Sequence, residues 1–183
     1  MSRIPTPDTI ASAPQGAHPL LQVVEESLGS VPNLFRLVAN SPATLEGMLG
    51  MNGALSKGSL NAATRERIAL AIANYNGCGY CNSAHTYLAK NVVRLDEAEI
   101  EANRKGRSTD AKADAAVKFA LKIAKERGRI TNADLAAVRL VGFSDAELVE
   151  IVGHVAYNIL TNYLNEVFET EIDFPVVEVA RAA

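Results

Sequence analysis

A break between two helical segments, at Asn76 and Gly77, restricts the fold of this chain more than any other feature. The preceding segment, NAATRERIALAIANY (61–75), has the apolar spacing of an amphipathic helix. Asparagine and glycine are common where helices end, because both tolerate a left-handed backbone. A new helix is expected to carry Cys78 onward, so we predict that the chain reverses here into an antiparallel helical hairpin.

The rest of the chain also shows helical spacing, and no segment shows the strict alternation that indicates a β-strand. Residues 110–127 predict a long helix that Gly128 ends. Thr131 and Ser144 each begin a capping-box pattern, in which a hydroxyl and an acidic side chain satisfy the open amides of a helix start. The second pattern begins a helix predicted to run to about Thr170. We therefore predict an all-α fold, a single-domain multi-helix bundle.

The composition and the two ends of the chain define the predicted domain. The chain has 183 residues, of which 48% are hydrophobic and 21% charged, and this fits one globular domain. We expect an irregular, proline-bearing lead over residues 1–16 and a helical domain over residues 17–174. Residues 175–183 predict an extended tail that lies over a neighbouring surface, because Pro175 cannot continue a helix.

Charge and hydropathy indicate which partners and which compartment to expect. The net charge of -3 provides no basic surplus, so we expect neither nucleic acid nor a membrane as a partner. The N-terminus has no apolar stretch of signal-peptide length, and no apolar run approaches about 20 residues, so we expect a cytoplasmic protein. In that reducing compartment a close cysteine pair is more often catalytic, redox-active or metal-binding than a permanent cross-link.

Both cysteines of the chain, Cys78 and Cys81, lie in one Cys-x-x-Cys motif at the predicted start of the second hairpin helix. Free amides and the helix dipole at a helix start favour the thiolate, which is the reactive form of cysteine. His85 lies four residues after Cys81 and therefore on the same helix face, where it can exchange a proton with that thiol. A thiolate that attacks a peroxide becomes a sulfenic acid, and a neighbouring thiol then converts it to a disulfide.

A carboxylate, Glu66, precedes the motif by eleven intervening residues. In one straight helix it would lie about 18 Å from Cys78, but in a hairpin its height matches that of His85 to within one turn. It shares a helix face with small and apolar residues, which predicts partial burial. We therefore expect Glu66 to orient His85 and to form a proton relay with it. The alternative is a salt bridge between Glu66 and Arg65, Arg67 or another helix.

Other uses of the cysteine pair are also open. Covalent haem attachment is excluded because it needs a histidine directly after the second cysteine, and that residue is Asn82. A structural zinc site needs four ligands, of which the motif and His85 supply three. The candidates for a fourth ligand are His18, His154 and Glu66. Two buried, inert thiols are a further alternative. We expect no metal and no cofactor.

The order Glu66, Cys78, Cys81, His85 resembles the alkylhydroperoxidase D-like branch of the carboxymuconolactone decarboxylase superfamily. The segments LGSVPNLFRLVANSP and NYLNEVFETEIDFP are similar to those of its peroxidase-related members, so the resemblance covers most of the chain. It implies an all-helical fold in trimers or hexamers, and a thiol peroxidase or disulfide reductase activity without metal or haem. It also implies that Cys81 attacks the peroxide, that Cys78 closes the disulfide, and that Glu66 and His85 pass the proton. An external thiol or dithiol would then reduce the disulfide.

One position departs from the pattern of this branch. Well-characterised peroxidase members have a second histidine immediately before the second cysteine, where this chain has Tyr80. Tyrosine has a pKa near 10 and cannot carry protons near neutrality as imidazole does, so the relay must be shorter, mediated by water or weaker. The alternatives in activity are a disulfide reductase that never meets peroxide, a lactone decarboxylase, and a non-catalytic redox or zinc switch.

Two further patterns concern polar residues. On the last long helix a polar seam recurs at intervals of four, four and three residues. Its members are His154, Asn158, Asn162 and Asn165. We expect the seam to form a core or subunit-interface network, with the lining of a redox pocket as the alternative. The charged run DEAEIEANRKGR (96–107) predicts a solvated helix face and an exposed loop.

Overall fold

The computed structural model describes residues 2–179, and within these residues it contains nine α-helices and no strand. The helices are α1 (His18–Leu28), α2 (Asn33–Val38), α3 (Pro42–Leu55), α4 (Ala62–Tyr75), α5 (Gly79–Leu88), α6 (Glu97–Arg104), α7 (Ala111–Lys125), α8 (Asn132–Leu140) and α9 (Asp145–Phe168). The predicted all-α fold is confirmed. No helix in this part of the chain combines the length and the apolar character needed to cross a bilayer.

Helix α4 lies at the centre of the molecule and packs against α5, α6, α7 and α9. Residues 68–73 are all buried, so this half of α4 has no solvent-facing side. The prediction of an amphipathic helix is therefore wrong for these residues. The reason is that alanine alternates with leucine and isoleucine here, so that neighbouring helices can approach α4 from every direction.

The reversal between α4 and α5 has the hydrogen bonds of a Schellman motif. Gly77 adopts a left-handed conformation with a φ of 74°. Its amide donates to Asn74 O at 3.1 Å, and the amide of Cys78 donates to Ala73 O at 3.0 Å. The predicted antiparallel hairpin that carries the cysteine pair is confirmed.

Local signals fixed the starts of the last two helices. Thr131 begins α8 and Ser144 begins α9, each with both hydrogen bonds of a capping box. Helix α9 ends at Phe168, after which Glu169 adopts a left-handed conformation. Helix α9 packs against both α4 and α5, so it covers the buried side of the hairpin.

Residues 2–17 and 171–179 flank the helical body. A short 3-10 helix, Gln15–Ala17, leads into α1, and residues 171–179 form no helix. The ring of Phe174 contacts Tyr80, and the amide of Val177 donates to Ser83 Oγ at 3.0 Å, so this segment runs across α5. The domain boundaries at residues 16 and 175 stay predictions, and residues 180–183 of the predicted tail lie outside the described residues.

The charged run 96–107 is not a wholly solvated face. Glu99 on α6 is only 3% exposed. Its carboxylate accepts hydrogen bonds from Arg67, Asn103, Ser108 and Thr109. The prediction of a solvated face is therefore wrong at Glu99. Its four hydrogen-bond donors come from α4, α6 and the loop that follows α6, and the residue spacing within one helix does not predict how these segments pack together.

Candidate active site

The cysteine pair occupies the first turn of α5. Cys78 is the N-cap residue, and its Sγ accepts a hydrogen bond from the amide of Cys81 at 3.2 Å. The two residues form a disulfide, and their Cα atoms are 5.3 Å apart. Cys78 is fully buried and Cys81 is 3% exposed. This Cα separation lies within the range that a disulfide requires.

Glu66 on α4 meets His85 on α5 across the hairpin. Glu66 Oε2 and His85 Nδ1 are 2.9 Å apart, and the two side chains are 18% and 20% exposed. The contact expected from their matching heights is present, whereas the part they play in proton transfer stays a prediction. When the carboxylate accepts the Nδ1 proton, Nε2 is the ring nitrogen that remains to take up or release a proton.

Tyr80, at the position of the missing histidine, is engaged elsewhere. Its hydroxyl accepts a hydrogen bond from the amide of Leu34 at 3.2 Å, and its ring packs edge-on against Phe174. Burial raises the pKa of Tyr80, and its hydrogen bond with Asp173 raises it further, although the Leu34 amide opposes this. The phenol therefore holds α2 and the C-terminal segment onto α5.

The polar seam of α9 faces the hairpin inside the protomer. Each of its four residues is buried. Asn76 Nδ2 donates to Asn162 Oδ1 at 2.8 Å, and Asn165 Nδ2 donates to Cys81 Sγ at 3.2 Å. The seam thus belongs to the core network and, at Asn165, to the surroundings of the redox pair, rather than to a surface that a second subunit could reach.

Several buried atoms of this seam have no hydrogen-bond partner among the described residues. They are His154 Nε2, Asn158 Oδ1, Asn162 Nδ2 and Asn165 Oδ1. Buried polar atoms of this kind are usually satisfied by ordered water. Burial and then the charge of Arg65 lower the pKa of His154, while Glu150 and Glu66 oppose this.

Sequence reasoning brought Glu66, Cys78, Cys81 and His85 to one hairpin but missed the contact between Asn165 and Cys81. The signal that was available is the spacing of the polar seam, which marks Asn165 as one of its members. The alternative of a zinc site, in which a fourth ligand would join Cys78, Cys81 and His85, has no support from the geometry. Among residues 2–179, no group of three or more histidine, cysteine, aspartate or glutamate side chains is arranged to hold a metal ion.

Comparisons with known proteins cover the hairpin that carries these residues. Residues 42–126, which include all four motif residues, match the model of the carboxymuconolactone decarboxylase family. An alkylhydroperoxidase AhpD core from Ralstonia eutropha, an uncharacterized peroxidase-related protein, superposes with a TM-score of 0.84 at 25% identity, over 94% of this chain and 92% of that one. The resemblance to the carboxymuconolactone decarboxylase superfamily, in its alkylhydroperoxidase D-like branch, is confirmed.

Two other solved structures share the fold of this chain. A peroxidase-related protein from Silicibacter sp. has a TM-score of 0.80 at 23% identity, over 93% of this chain and 91% of that one. The debrominase Bmp8, solved with 2,3,4-tribromopyrrole, has a TM-score of 0.74 at 19% identity, over 94% of each chain. At these identities the likeness concerns the fold alone. No curated protein matches the chain significantly in sequence.

Proposed function

We propose that this chain is a thiol-dependent, peroxidase-like antioxidant oxidoreductase that reduces hydrogen peroxide or organic hydroperoxides with its Cys78–Cys81 pair. The observation that carries the proposal is the hydrogen bond between Glu66 and His85 on the hairpin that bears the pair, with His85 one helical turn beyond Cys81. A carboxylate, an imidazole and a redox-active dithiol together provide the groups that thiol peroxidation needs. The likeness to a peroxidase-related protein at 25% identity also supports it.

The proposed reaction has three steps. The Cys81 thiolate attacks one peroxide oxygen and becomes a sulfenic acid, while the other oxygen leaves as an alcohol or water after it receives a proton from His85. The Cys78 thiol then attacks the Cys81 sulfur, which forms the disulfide and releases water. An external thiol or dithiol finally reduces the disulfide by exchange, and is itself oxidised. Glu66 keeps His85 oriented and stabilises its protonated form.

The burial of the cysteine pair indicates that its oxidant and its reductant are small molecules. Cys81 is almost fully covered by the protomer, so a bulky protein disulfide could reach it only after a large rearrangement. Hydrogen peroxide and small organic hydroperoxides are the oxidants that this arrangement favours. The same argument favours a small thiol or dithiol as the reductant over a direct attack by a large redox protein.

Peroxide titration of the reduced protein tests the proposed reaction. We expect one equivalent of hydrogen peroxide to consume both thiols of the wild type and to produce the Cys78–Cys81 disulfide. Cys81→Ser is expected to lose at least about 99% of the initial rate, whereas Cys78→Ser is expected to react and stop at the sulfenic acid. A Cys81→Ser variant that consumes peroxide at the wild-type rate would contradict the proposal. Turnover of a small disulfide without any reaction with peroxide would instead select the disulfide reductase.

The Glu66–His85 pair has its own test. In Glu66→Gln the imidazole loses its charged partner, so we expect sulfenate formation at pH 7 to slow by about tenfold to a hundredfold. Stopped-flow measurement across pH reports this rate without a reductant. Glu97→Gln is the matched control, because that carboxylate also pairs with a base, Lys90, but lies on the surface. Equal rates in Glu66→Gln and the wild type would leave the pair with a structural function only.

We also propose that the protein forms a homo-oligomer, a trimer or a hexamer, through the outer face of α9. This face carries apolar residues at intervals of three and four, and each is exposed in the protomer. They are Val149, Val152, Ala156, Leu160, Tyr163 and Val167. We call this set the α9 stripe. A row of this spacing fits a second helix, and an uncovered apolar face of this length is typical of a protein interface. The cytoplasmic location stays a prediction.

A further inference from the structure

We infer that Asn165 determines which of the two thiols reacts first. Asn165 lies on α9, and its Nδ2 donates a hydrogen bond to Cys81 Sγ at 3.2 Å. It is a positioning residue that stabilises the thiolate of Cys81 once the disulfide is reduced. The inference rests on the proposed dithiol cycle and deepens it, because it assigns the attacking sulfur from a contact in this chain.

The two sulfurs receive hydrogen bonds from different sources. Cys78 is the N-cap residue of α5, and its Sγ accepts the backbone amide of Cys81. Cys81 thus donates its own amide to the other sulfur. The donor found at Cys81 Sγ within residues 2–179 is the side-chain amide of Asn165.

The backbone alone would make Cys78 the more acidic thiol. An N-cap sulfur has a helix amide directed at it and lies at the positive end of the helix dipole, and both stabilise a negative charge. Cys81 needs a separate donor to compete. A hydrogen bond to a thiolate is stronger than one to a thiol, so the Asn165 amide favours the ionised form of Cys81.

Apart from the hydrogen bond to Cys81, the contacts of the Asn165 side chain do not explain why this amide is buried. The residue is 2% exposed, and its Oδ1 has no hydrogen-bond partner among the described residues. Burying an amide costs free energy unless hydrogen bonds compensate for the lost water. Asn162, one turn earlier, is different, because its Oδ1 accepts from Asn76 and ties α9 to the hairpin turn. The hydrogen bond made by Asn165 is directed at the sulfur, whereas that of Asn162 serves the fold.

The helices and the segment around the hairpin also carry groups that titrate. On the elements that pack on the hairpin, the charged and titratable groups are Glu66 on α4, Tyr80 and His85 on α5, His154 and Glu166 on α9, Arg36 on α2 and Asp173 in the C-terminal segment. Glu166 accepts a hydrogen bond from the amide of Gly79 at the start of α5. Burial raises the pKa of Glu166, the hydrogen bond from Gly79 opposes this increase, and the charge of Glu169 adds to it. A carboxylate at this place disfavours a nearby thiolate, so the neutral amide of Asn165 acts against it.

Alkylation of the reduced protein, followed separately at each cysteine by mass spectrometry from about pH 5 to pH 10, tests the inference. In the wild type we expect Cys81 to react with the lower midpoint pH. In Asn165→Leu, which has a similar volume but no donor, the Cys81 midpoint is expected to rise by about one pH unit or more. That change corresponds to about tenfold less thiolate at a given pH, so Cys78 becomes the preferred site.

Asn162→Leu is the matched control, because it removes an equally buried amide from the same helix without touching a sulfur. It is expected to lower the melting temperature and to leave the Cys81 midpoint unchanged. Asn165→Gln keeps an amide and is expected to restore part of the wild-type difference. If Asn165→Leu does not fold, Asn165→Ala gives the same comparison at a smaller volume. An unchanged Cys81 midpoint in the folded variant, or an equal rise in Asn162→Leu, overturns the inference.

The alkylation experiment needs no peroxide, so the two proposals can fail separately. If the Cys81 midpoint rises in Asn165→Leu but the wild type consumes no peroxide, the proposed function is wrong and the choice of the more acidic thiol stands. If the wild type consumes peroxide and the midpoint does not move, the function stands and Asn165 does not select the thiol.

Discussion

Tyr80 links the redox helix to the parts of the chain that cover it. Its hydroxyl holds the first turn of α2, and its ring supports Phe174 in the C-terminal segment. The carboxylate of Asp173 also accepts the amide of Asn33 at 2.8 Å, so the same cluster satisfies two open amides at the start of α2. A histidine at this position could not make both contacts, because imidazole is too short to replace the phenol. The position therefore serves stability in this chain.

Replacing Tyr80 tests this structural function at the residue scale. In Tyr80→Phe the amide of Leu34 stays buried without its acceptor, so we expect the free energy of unfolding to fall by about 1–3 kcal/mol. The rate of sulfenate formation is expected to be unchanged, because the hydroxyl takes no part in the relay. Urea unfolding at fixed protein concentration measures the first quantity and stopped-flow the second. Tyr87→Phe is the control, because its ring contacts the same Phe174 but lies at the surface.

The contacts of single residues differ in how far the sequence predicts them. The Glu66–His85 contact follows from counting residues on either side of one helix break, so local geometry was sufficient. The Asn165–Cys81 contact joins residues that are 84 positions apart. It depends on how α9 is rotated and shifted against α5, and this arrangement results from packing across the whole core. Spacing within α9 can show that Asn165 belongs to a polar seam but cannot show what the seam contacts.

At the scale of elements, Glu99 fastens α6 to α4 and to the loop before α7. Burial by itself would raise the pKa of Glu99, but hydrogen bonds from Ser108, Thr109 and Asn103 outweigh it and lower the pKa to about 2. Arg67 on α4 adds an ion pair. The sequence predicted α6 and its charges, but the four donors converge only after α4, α6 and the loop have packed. One carboxylate thus holds three segments in register.

This arrangement predicts how stability depends on pH. The pKa of Glu99 is about 2 in the folded protein against an ordinary 4.5, so its contribution is complete above about pH 4.5 and is lost as the pH falls towards 2. The difference corresponds to about 3 kcal/mol. We expect Glu99→Gln to lose about that much at pH 7 and to show a flatter acid profile in chemical unfolding measured between pH 7 and pH 3. Glu25→Gln is the control, because it makes the same change at an exposed carboxylate on α1, and it is expected to keep the wild-type acid profile.

At the scale of the whole molecule, α9 has a polar face and an apolar face. The inner face presents the polar seam to the hairpin, and the outer face presents the α9 stripe to solvent. The stripe extends over about 27 Å, at 1.5 Å per residue. A groove of about 730 Å³ beside it continues onto α4 and α7, and its lining combines apolar residues such as Ile123 and Ile159 with the cations Lys125 and Arg127. A second copy that covers the stripe would also fix the helix from which Asn165 reaches Cys81.

Charges placed in the α9 stripe should separate the subunits. We expect the wild type to sediment as a trimer or a hexamer of the 19.5 kDa chain, because the exposed apolar row gains free energy when a second copy covers it. In Val152→Glu with Leu160→Glu, burial of two carboxylates would oppose association, so the variant is expected to sediment as a monomer with an unchanged helical circular dichroism spectrum. Leu140→Glu is the matched control, because Leu140 is 88% exposed but lies on α8, outside the stripe. A monomeric wild type, or an assembly that survives both charges in the stripe, would show that α9 is not the subunit interface.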